Sequence, residues 1–305
     1  MSRSAPMEPV LAVDIGGTKI AAGVVDESGR LLRQARRPTP HVSDPEQVWA
    51  AAEQAIGDAL GGGQVRGVGI SSAGPINLPT GAISPINIPG WRDFPIVERV
   101  AAAVPGAPVR LGGDGVCMAL GEHRFGAGRG ASFMLGMVVS TGIGGGLVLD
   151  GAPYGGRTGN AGHVGHVVVD PDGAPCACGG RGCVEAIASG PHLVTWAREQ
   201  GWQAPPDADA KQLADCAANG DERALAAFSR GGRAVAAMIA SVAAVCDLDV
   251  VVIGGGVAKA GPLLFDPIRT ALRTYAGLDF LAGLRVVPAE LGGDAGLIGA
   301  ATLVG

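Results

Sequence analysis

Near its start the chain reads Val10-Leu-Ala-Val-Asp-Ile-Gly-Gly-Thr-Lys-Ile-Ala-Ala-Gly-Val-Val25. Two apolar runs of strand length flank a glycine pair, which predicts a β-hairpin whose first strand is buried. A stretch of the same design, Met134-Leu-Gly-Met-Val-Val-Ser-Thr-Gly-Ile-Gly-Gly-Gly-Leu-Val-Leu149, lies far downstream. There we expect the strand to end before Ser140 and to resume at Leu147. The repeat indicates an internal duplication with one hairpin per domain, although glycine hairpins are common in α/β proteins.

Glycine turns of this kind are suited to binding phosphate. Glycine lets backbone N–H groups approach an anion closely, and the hydroxyls of Thr18 and Thr141 add donors. A carboxylate such as Asp14 beside a phosphate would hold Mg²⁺ through water. The sequence has no P-loop pattern. A dinucleotide-binding turn at Gly254-Gly-Gly256 is disfavoured, because Lys259 stands where its third glycine would be.

A histidine and three cysteines lie close together in the second half of the chain. His166 is followed by Cys176-Ala-Cys-Gly-Gly-Arg-Gly-Cys183, and Glu185 comes soon after. Thiolates and a neutral imidazole are ligands that tetrahedral zinc prefers, and a Cys₃His set leaves no position for water. The spacing therefore predicts a structural zinc loop with four ligands, namely His166, Cys176, Cys178 and Cys183. Three small buried residues, or a disulfide with a spare thiol, are the alternatives.

The composition restricts the class of protein. The chain has 305 residues, 47% of them hydrophobic and 17% charged, which is typical of a globular α/β enzyme with room for two domains. Its net charge of −5 gives no general attraction to nucleic acid. The N-terminal residues lack the apolar run of a signal peptide, and the run from Ala234 to Cys246 is too short to span a bilayer. We therefore expect a cytoplasmic protein with no membrane or nucleic-acid partner, in which free thiols fit metal binding better than disulfides.

Three motifs taken together resemble the ROK family of sugar kinases and repressors: Asp14-Ile-Gly-Gly-Thr-Lys19, Ser140-Thr-Gly-Ile-Gly-Gly-Gly146 and Cys176-x-Cys-Gly-x-x-Gly-Cys183-x-Glu185. The resemblance implies an α/β, two-lobed actin-like ATPase (ribonuclease H-like) fold with Mg-ATP and a sugar bound between the lobes. The corresponding domains would be residues 1–113 with about 290–305, and residues 114–289 with the zinc loop. Repressor members carry an extra N-terminal helix-turn-helix, for which the position of Asp14 leaves no room, so we expect an enzyme.

The resemblance also implies roles for individual residues. Asp114 matches the family's catalytic position, where it would accept the proton of the attacking sugar hydroxyl. An aspartate at this place would otherwise serve as a helix N-cap. The expected sugar contacts are Asn87, Gly113, His163, His166 and Glu185. The expected Mg-ATP contacts are Asp14, Gly16, Gly17, Thr18, Lys19, Thr141, Gly142, Gly144, Gly255 and Gly256.

Two positions depart from the family's pattern. His163 stands where the family usually has glutamate, and Gly113 stands where it usually has asparagine. A carboxylate accepts hydrogen bonds from two hydroxyls, whereas a neutral imidazole offers one acceptor and one donor. Selectivity near C1 and C2 of the sugar should therefore differ from that of ordinary glucokinases, unless His163 is satisfied within its own loop. Bacterial N-acetylmannosamine kinases are similar here, including the run Gly182-Cys-Val-Glu-Ala-Ile-Ala-Ser-Gly190.

The sequence thus predicts an ATP-dependent kinase that phosphorylates the primary hydroxyl of a hexose or N-acylhexosamine, as a glucokinase does. An N-acetylmannosamine kinase is the first alternative, and a non-catalytic sugar sensor derived from a kinase is an alternative of another class. A dehydrogenase would need the third glycine that the chain lacks. Dimers are frequent in such kinases, so we also expect a homodimer or a higher homo-oligomer.

Overall fold

The computed structural model describes residues 7–305, and these residues form two compact units. The first unit runs to Arg129 and also contains Pro153–Ala161 and Gly293–Gly305. The second unit contains Gly130–Ala152 and Gly162–Gly292. The lobe boundaries expected after residue 113 and near residue 290 stay a prediction.

Strands and helices alternate along the chain. The strands are β1 (Val10–Ile15), β2 (Lys19–Val25), β3 (Leu31–Pro38), β4 (Val68–Ser72), β5 (Ile76–Asn77), β6 (Ala82–Ile83), β7 (Val109–Gly113), β8 (Met134–Val139), β9 (Ile143–Leu149), β10 (Ala152–Tyr154), β11 (Val250–Gly254) and β12 (Arg285–Pro288). The α-helices are α1 (Pro45–Leu60), α2 (Ile96–Ala103), α3 (Asp114–Phe125), α4 (Glu185–Ala188), α5 (Gly190–Glu199), α6 (Ala210–Ala218), α7 (Glu222–Cys246), α8 (Pro262–Tyr275) and α9 (Ala295–Thr302).

Over residues 7–305 the two units contain main sheets with equivalent strand orders, β3-β2-β1-β4-β7 and β10-β9-β8-β11-β12. In the first sheet β1 pairs antiparallel with β2 and parallel with β4, which is parallel to β7. In the second sheet β8 pairs antiparallel with β9 and parallel with β11, which is parallel to β12. The shared order supports the internal duplication that the two hairpins indicate.

The second hairpin differs from the expectation at its return strand. β9 begins at Ile143, so the prediction that the strand resumes at Leu147 is wrong. Close packing requires a glycine within this strand at position 145. A Cβ on Gly145 would lie 2.8 Å from the carbonyl oxygen of Gly136 and 3.0 Å from the side chain of Val164.

Helices cover both faces of the first sheet. Leu11 and Val13 pack in the cluster that contains the buried face of α1, whereas Val10 and Ala12 pack with α9 and Cys117 of α3. Successive side chains of β1 therefore point to opposite faces of the sheet, and both faces are buried. α3 and α9 approach each other closely, since a Cβ on Gly299 would lie 1.6 Å from the carbonyl oxygen of Cys117.

The core of the second unit forms where α5, α6, α7 and α8 pack on its sheet. α7 is the longest helix in residues 7–305, and buried residues along it include Phe228, Val235 and Ile239. None of the helices that the structure describes combines the length and the apolar character needed to cross a bilayer.

Candidate active site

Asp14 lies at the end of β1, on the face of the first sheet that α9 covers. Ser71 is its neighbour in register on β4, and the Ser71 hydroxyl donates to Asp14 Oδ1 over 2.7 Å. Burial raises the pKa of the Asp14 carboxyl above its ordinary value of 3.8. The Ser71 hydrogen bond and the charge of Lys19 oppose that rise in pKa, while the charge of Asp294 adds to it. Sequence reasoning missed Ser71, although a hydroxyl at the carboxyl end of an apolar strand was a usable signal.

The first glycine turn brings an expected nucleotide residue next to an expected sugar residue. The Gly16 N–H donates to the Lys19 carbonyl over 3.0 Å, and the Thr39 hydroxyl donates to the Gly16 carbonyl over 2.7 Å. Gly17 packs on the Asn87 side chain so closely that a Cβ at this glycine would lie 2.2 Å from Asn87 Nδ2. Thr18 is exposed at the tip of the turn.

The loop that carries Asn87 is held by buried neighbours. The Trp91 indole N–H donates to the Pro45 carbonyl over 3.1 Å. The Arg92 guanidinium donates to the carbonyls of Pro85 and Ile88, each over 3.0 Å. The exposed Asn87 side chain therefore projects from a loop whose backbone is fixed.

Asp114 is the first residue of α3 and follows β7 directly. The N-cap of α3 is Gly113, so the alternative that Asp114 serves as the N-cap is wrong. One carboxylate oxygen of Asp114, Oδ1, accepts the N–H of Gly115 over 2.7 Å. Burial raises the pKa of the Cys117 thiol, and the charges of Asp14 and then Asp114 raise it further. The space beside Gly113 is open, because the nearest atom to a Cβ there would be Ile76 Cδ1 at 4.0 Å.

The second glycine turn lies against the turn that follows β11. The Ser140 N–H donates to the Gly142 carbonyl over 2.9 Å, which closes the loop between β8 and β9. Gly255 has a φ of 99°, and a Cβ there would lie 2.3 Å from the Val139 carbonyl oxygen. A Cβ on Gly256 would lie 3.4 Å from Ser140 Oγ. The structure thus brings together the expected nucleotide residues of the second unit, with Thr141 exposed between them.

Glu185 connects α4 to this glycine turn. Its Oε2 atom accepts the N–H of Ile143 over 2.7 Å. A Cβ on Gly142 would lie 2.8 Å from the same oxygen, so the carboxylate lies directly over the turn. This contact between an expected sugar residue and the nucleotide turn does not follow from the sequence pattern.

His163 precedes a one-turn helix formed by Val164–His166, and His166 is the last residue of that helix. Their ring centroids are 6.5 Å apart, and His163 is exposed. The turn packs tightly on β9, because a Cβ on Gly165 would lie 1.9 Å from the Ile143 carbonyl oxygen. The two histidines are therefore placed by the same hairpin that carries the expected nucleotide residues of the second unit.

The four expected zinc ligands converge. The ligand atoms of His166, Cys176, Cys178 and Cys183 all lie within 4.8 Å of one another. Cys176 Sγ is 3.7 Å from His166 Nδ1, and Cys178 Sγ is 3.7 Å from Cys183 Sγ. Tetrahedral zinc with ordinary bond lengths requires sulfur–sulfur edges of about 3.8 Å and sulfur–nitrogen edges of about 3.6 Å. The two measured edges are therefore close to those of a zinc tetrahedron, and the four donors are a set compatible with structural zinc.

Two cysteine thiols of this cluster have pKa values shifted in opposite directions. Burial raises the pKa of Cys183 to about 12, and the two neighbouring cysteines add to the rise. The Gly180 N–H, by contrast, donates to Cys178 Sγ and lowers the pKa of Cys178. Because only thiolates bind the metal, zinc binding to this cluster would release protons.

The comparisons with known proteins agree with the described geometry. The family model described as "ROK family" matches residues 10–305. The chain belongs to the ROK family. A glucokinase from Thermotoga maritima is 36% identical over 313 residues, which cover 98% of this chain and 98% of that protein. An N-acetylmannosamine kinase from Yersinia pestis is 37% identical over 295 residues, which cover 95% of this chain and 96% of that protein.

The same fold occurs in a solved ROK family structure. The glucokinase of Streptomyces griseus, determined in complex with glucose and AMPPNP, superposes with a TM-score of 0.83 at 37% identity. The match covers 97% of this chain and 98% of that one. The predicted family and the predicted class of enzyme, a sugar kinase, are confirmed, and the non-catalytic sensor is not favoured. The expected homo-oligomer and cytoplasmic location stay predictions.

Proposed function

We propose that this chain transfers the γ-phosphoryl group of Mg-ATP to the primary hydroxyl of a hexose or N-acylhexosamine, with Asp114 as the general base. The observation that carries the proposal is the position of two carboxylates in the first unit. Asp14 lies near the carboxyl end of β1 and Asp114 directly follows β7, and these two strands lie on either side of β4.

In the proposed reaction Asp114 accepts the hydroxyl proton as the sugar oxygen attacks the γ-phosphorus. The bond from that phosphorus to the β-phosphate oxygen breaks, and ADP leaves. Hard oxygen ligands suit Mg²⁺, and Asp14 is the carboxylate beside the glycine turn that would hold the ion through water. When bound, the ion would neutralise charge on the phosphates.

Sugar binding in this proposal uses residues from loops with fixed backbones. As the family resemblance implies, Asn87, His163 and Glu185 would hydrogen-bond sugar hydroxyls. Because His166 Nδ1 is directed at the thiol of Cys176, its Nε2 is the nitrogen that remains for a hydroxyl. Zinc at the four-ligand cluster would hold this imidazole in one orientation.

An N-acetylmannosamine kinase is the second candidate, and His163 is the specific observation that favours it. This residue replaces the family's usual glutamate in a segment where the chain is similar to such kinases. The open space beside Gly113 also leaves room next to the proposed sugar site. A coupled ADP-release assay over glucose, mannose, allose, glucosamine, N-acetylglucosamine and N-acetylmannosamine separates the two candidates. No ADP release with any of these sugars would contradict both.

The role of Asp114 is tested with Asp114→Asn, compared with a control change at an exposed loop carboxylate, Asp207→Asn. We expect the first variant to lose phosphoryl transfer by at least about a hundredfold while it stays folded, and the second to retain full turnover. Substantial turnover by Asp114→Asn would contradict the assignment of the base.

Metal analysis of the purified protein should find one zinc per chain, and its absence would contradict the zinc site.

A further inference from the structure

We infer that Glu185 positions the nucleotide-binding hairpin directly and thereby couples the sugar and nucleotide sites of the second unit. The inference rests on the proposed function, which assigns the sugar to Glu185 and the phosphates to the turn between β8 and β9. It adds a second task for the same carboxylate.

The contacts of the segment from Glu185 to Gly190 carry this inference. At one end, Glu185 Oε2 accepts the N–H of Ile143, the first residue of β9. At the other end, the Gly190 N–H donates to the Ser140 carbonyl over 2.7 Å. The segment that begins with the proposed sugar ligand therefore holds both ends of the glycine turn.

Apart from its internal bond between the Ser140 N–H and the Gly142 carbonyl, the turn depends on contacts with its neighbours. Glycine costs more backbone entropy than any other residue when it is fixed, so a glycine-rich turn adopts one conformation only if neighbours impose it. A carboxylate that accepts a backbone N–H makes a charge-assisted hydrogen bond, which is about twice as strong as a neutral one. The Glu185 carboxylate thus fixes the direction of the N–H groups that stay available to a phosphate.

The same carboxylate keeps acceptor capacity for the sugar. An ionised carboxylate has roughly four lone-pair sites, and the Ile143 N–H uses one of them. A sugar hydroxyl that donates to Glu185 would weaken or redirect the bond to Ile143, and binding free energies that are linked in this way are reciprocal. One side chain therefore transmits the presence of sugar to the nucleotide turn.

Nucleotide affinity without sugar separates this positioning role from a contact with sugar alone. Isothermal titration with Mg-ADP compares the wild type, Glu185→Ala, Glu185→Gln and the control Glu199→Ala, which removes an exposed carboxylate from α5. We expect Glu185→Ala to bind Mg-ADP about tenfold more weakly, because a hydrogen bond to a charged group is lost. Glu185→Gln should keep most of the affinity, since its amide oxygen also accepts the Ile143 N–H. Unchanged affinity in Glu185→Ala, or equal losses in both Glu185 variants, would overturn the inference.

Hydrogen exchange at the Ile143 amide gives a second readout that needs no ligand. It should be about tenfold faster in Glu185→Ala than in the wild type and unchanged in Glu199→Ala, and equal rates in all three proteins would overturn the inference. A different result tests the proposed function. That function is refuted if the wild type neither binds Mg-ADP nor releases ADP, whatever the exchange rates at Ile143 show.

Discussion

Replacing Ser71 by alanine should destabilise the protein in a manner that depends on pH. The hydroxyl of Ser71 is fully buried and donates to Asp14 Oδ1 over 2.7 Å. A hydrogen bond to a charged acceptor contributes about 1.5–3 kcal/mol, and one to a neutral acceptor contributes about 1 kcal/mol. We therefore expect Ser71→Ala to lower the free energy of unfolding by about 2 kcal/mol where Asp14 is ionised and by about 1 kcal/mol where it is protonated.

The direction of the pH dependence follows from the raised pKa of Asp14. The pKa of Asp14 is higher in the folded protein than its ordinary value of 3.8. The resulting contribution to the free energy of unfolding is fully present below pH 3.8 and is lost as the pH rises through the folded-state pKa. The Ser71 bond lowers the folded pKa of Asp14, so its removal raises that pKa further and enlarges the loss of stability at neutral pH.

Urea denaturation of Ser71→Ala and Ser72→Ala at several pH values provides the assay. Ser72 is an equally buried hydroxyl on the same strand, but it donates to the Ala73 carbonyl over 3.0 Å. Its removal should cost a similar amount of stability at every pH. In the active enzyme, the acidic limb of the kcat/KM profile should move to higher pH in Ser71→Ala alone, because in the proposed function Asp14 holds Mg²⁺ as a carboxylate. Parallel pH curves for the two variants would refute the reasoning.

Four further changes have expected outcomes that denaturation and kinetic assays check. Gly299→Ala should lower the free energy of unfolding by about 3 kcal/mol, because its Cβ would lie 1.6 Å from the Cys117 carbonyl oxygen. Gly57→Ala, in open space on α1, should raise the free energy of unfolding by about 0.5–1 kcal/mol. If both glycine variants changed the free energy of unfolding in the same direction, the packing of α9 on α3 would be contradicted. Gly113→Asn should fold normally yet change the ratio of kcat/KM between glucose and N-acetylmannosamine by about tenfold; an unchanged ratio would remove Gly113 from the sugar site. Asp209→Ala should cost about 1 kcal/mol by removing the capping box of α6, and a loss below experimental error would show that this cap contributes nothing.

Patterns within one short stretch were predicted well from the sequence. The four residues expected to bind zinc lie within a single loop, and their ligand atoms converge as their spacing indicated. The first hairpin was likewise clear from the apolar runs on both sides of Gly16 and Gly17. Local spacing constrains such features because few conformations connect neighbouring residues.

Contacts that depend on strand register could not be predicted in the same way. Ser71 meets Asp14 across 57 residues of sequence, and Glu185 meets Ile143 across 42. A shift of one residue between β1 and β4 would turn the Ser71 hydroxyl to the opposite face of the sheet. The start of β9 was also misjudged, because a glycine run reads as a loop unless the packing that requires small residues is known.

The equivalent sheets carry different chemistry at equivalent places. Asp14 is the last residue but one of β1, and the corresponding residue of β8 is Val138. Across the parallel ladder Asp14 faces Ser71, whereas Val138 faces Gly254, so the second copy has neither carboxylate nor hydroxyl there. A carboxylate close to a phosphate is repulsive unless a cation lies between them. In the proposed function the first hairpin would therefore be the one that holds the metal ion, whereas at the second hairpin the Glu185 carboxylate, from α4, accepts the Ile143 N–H.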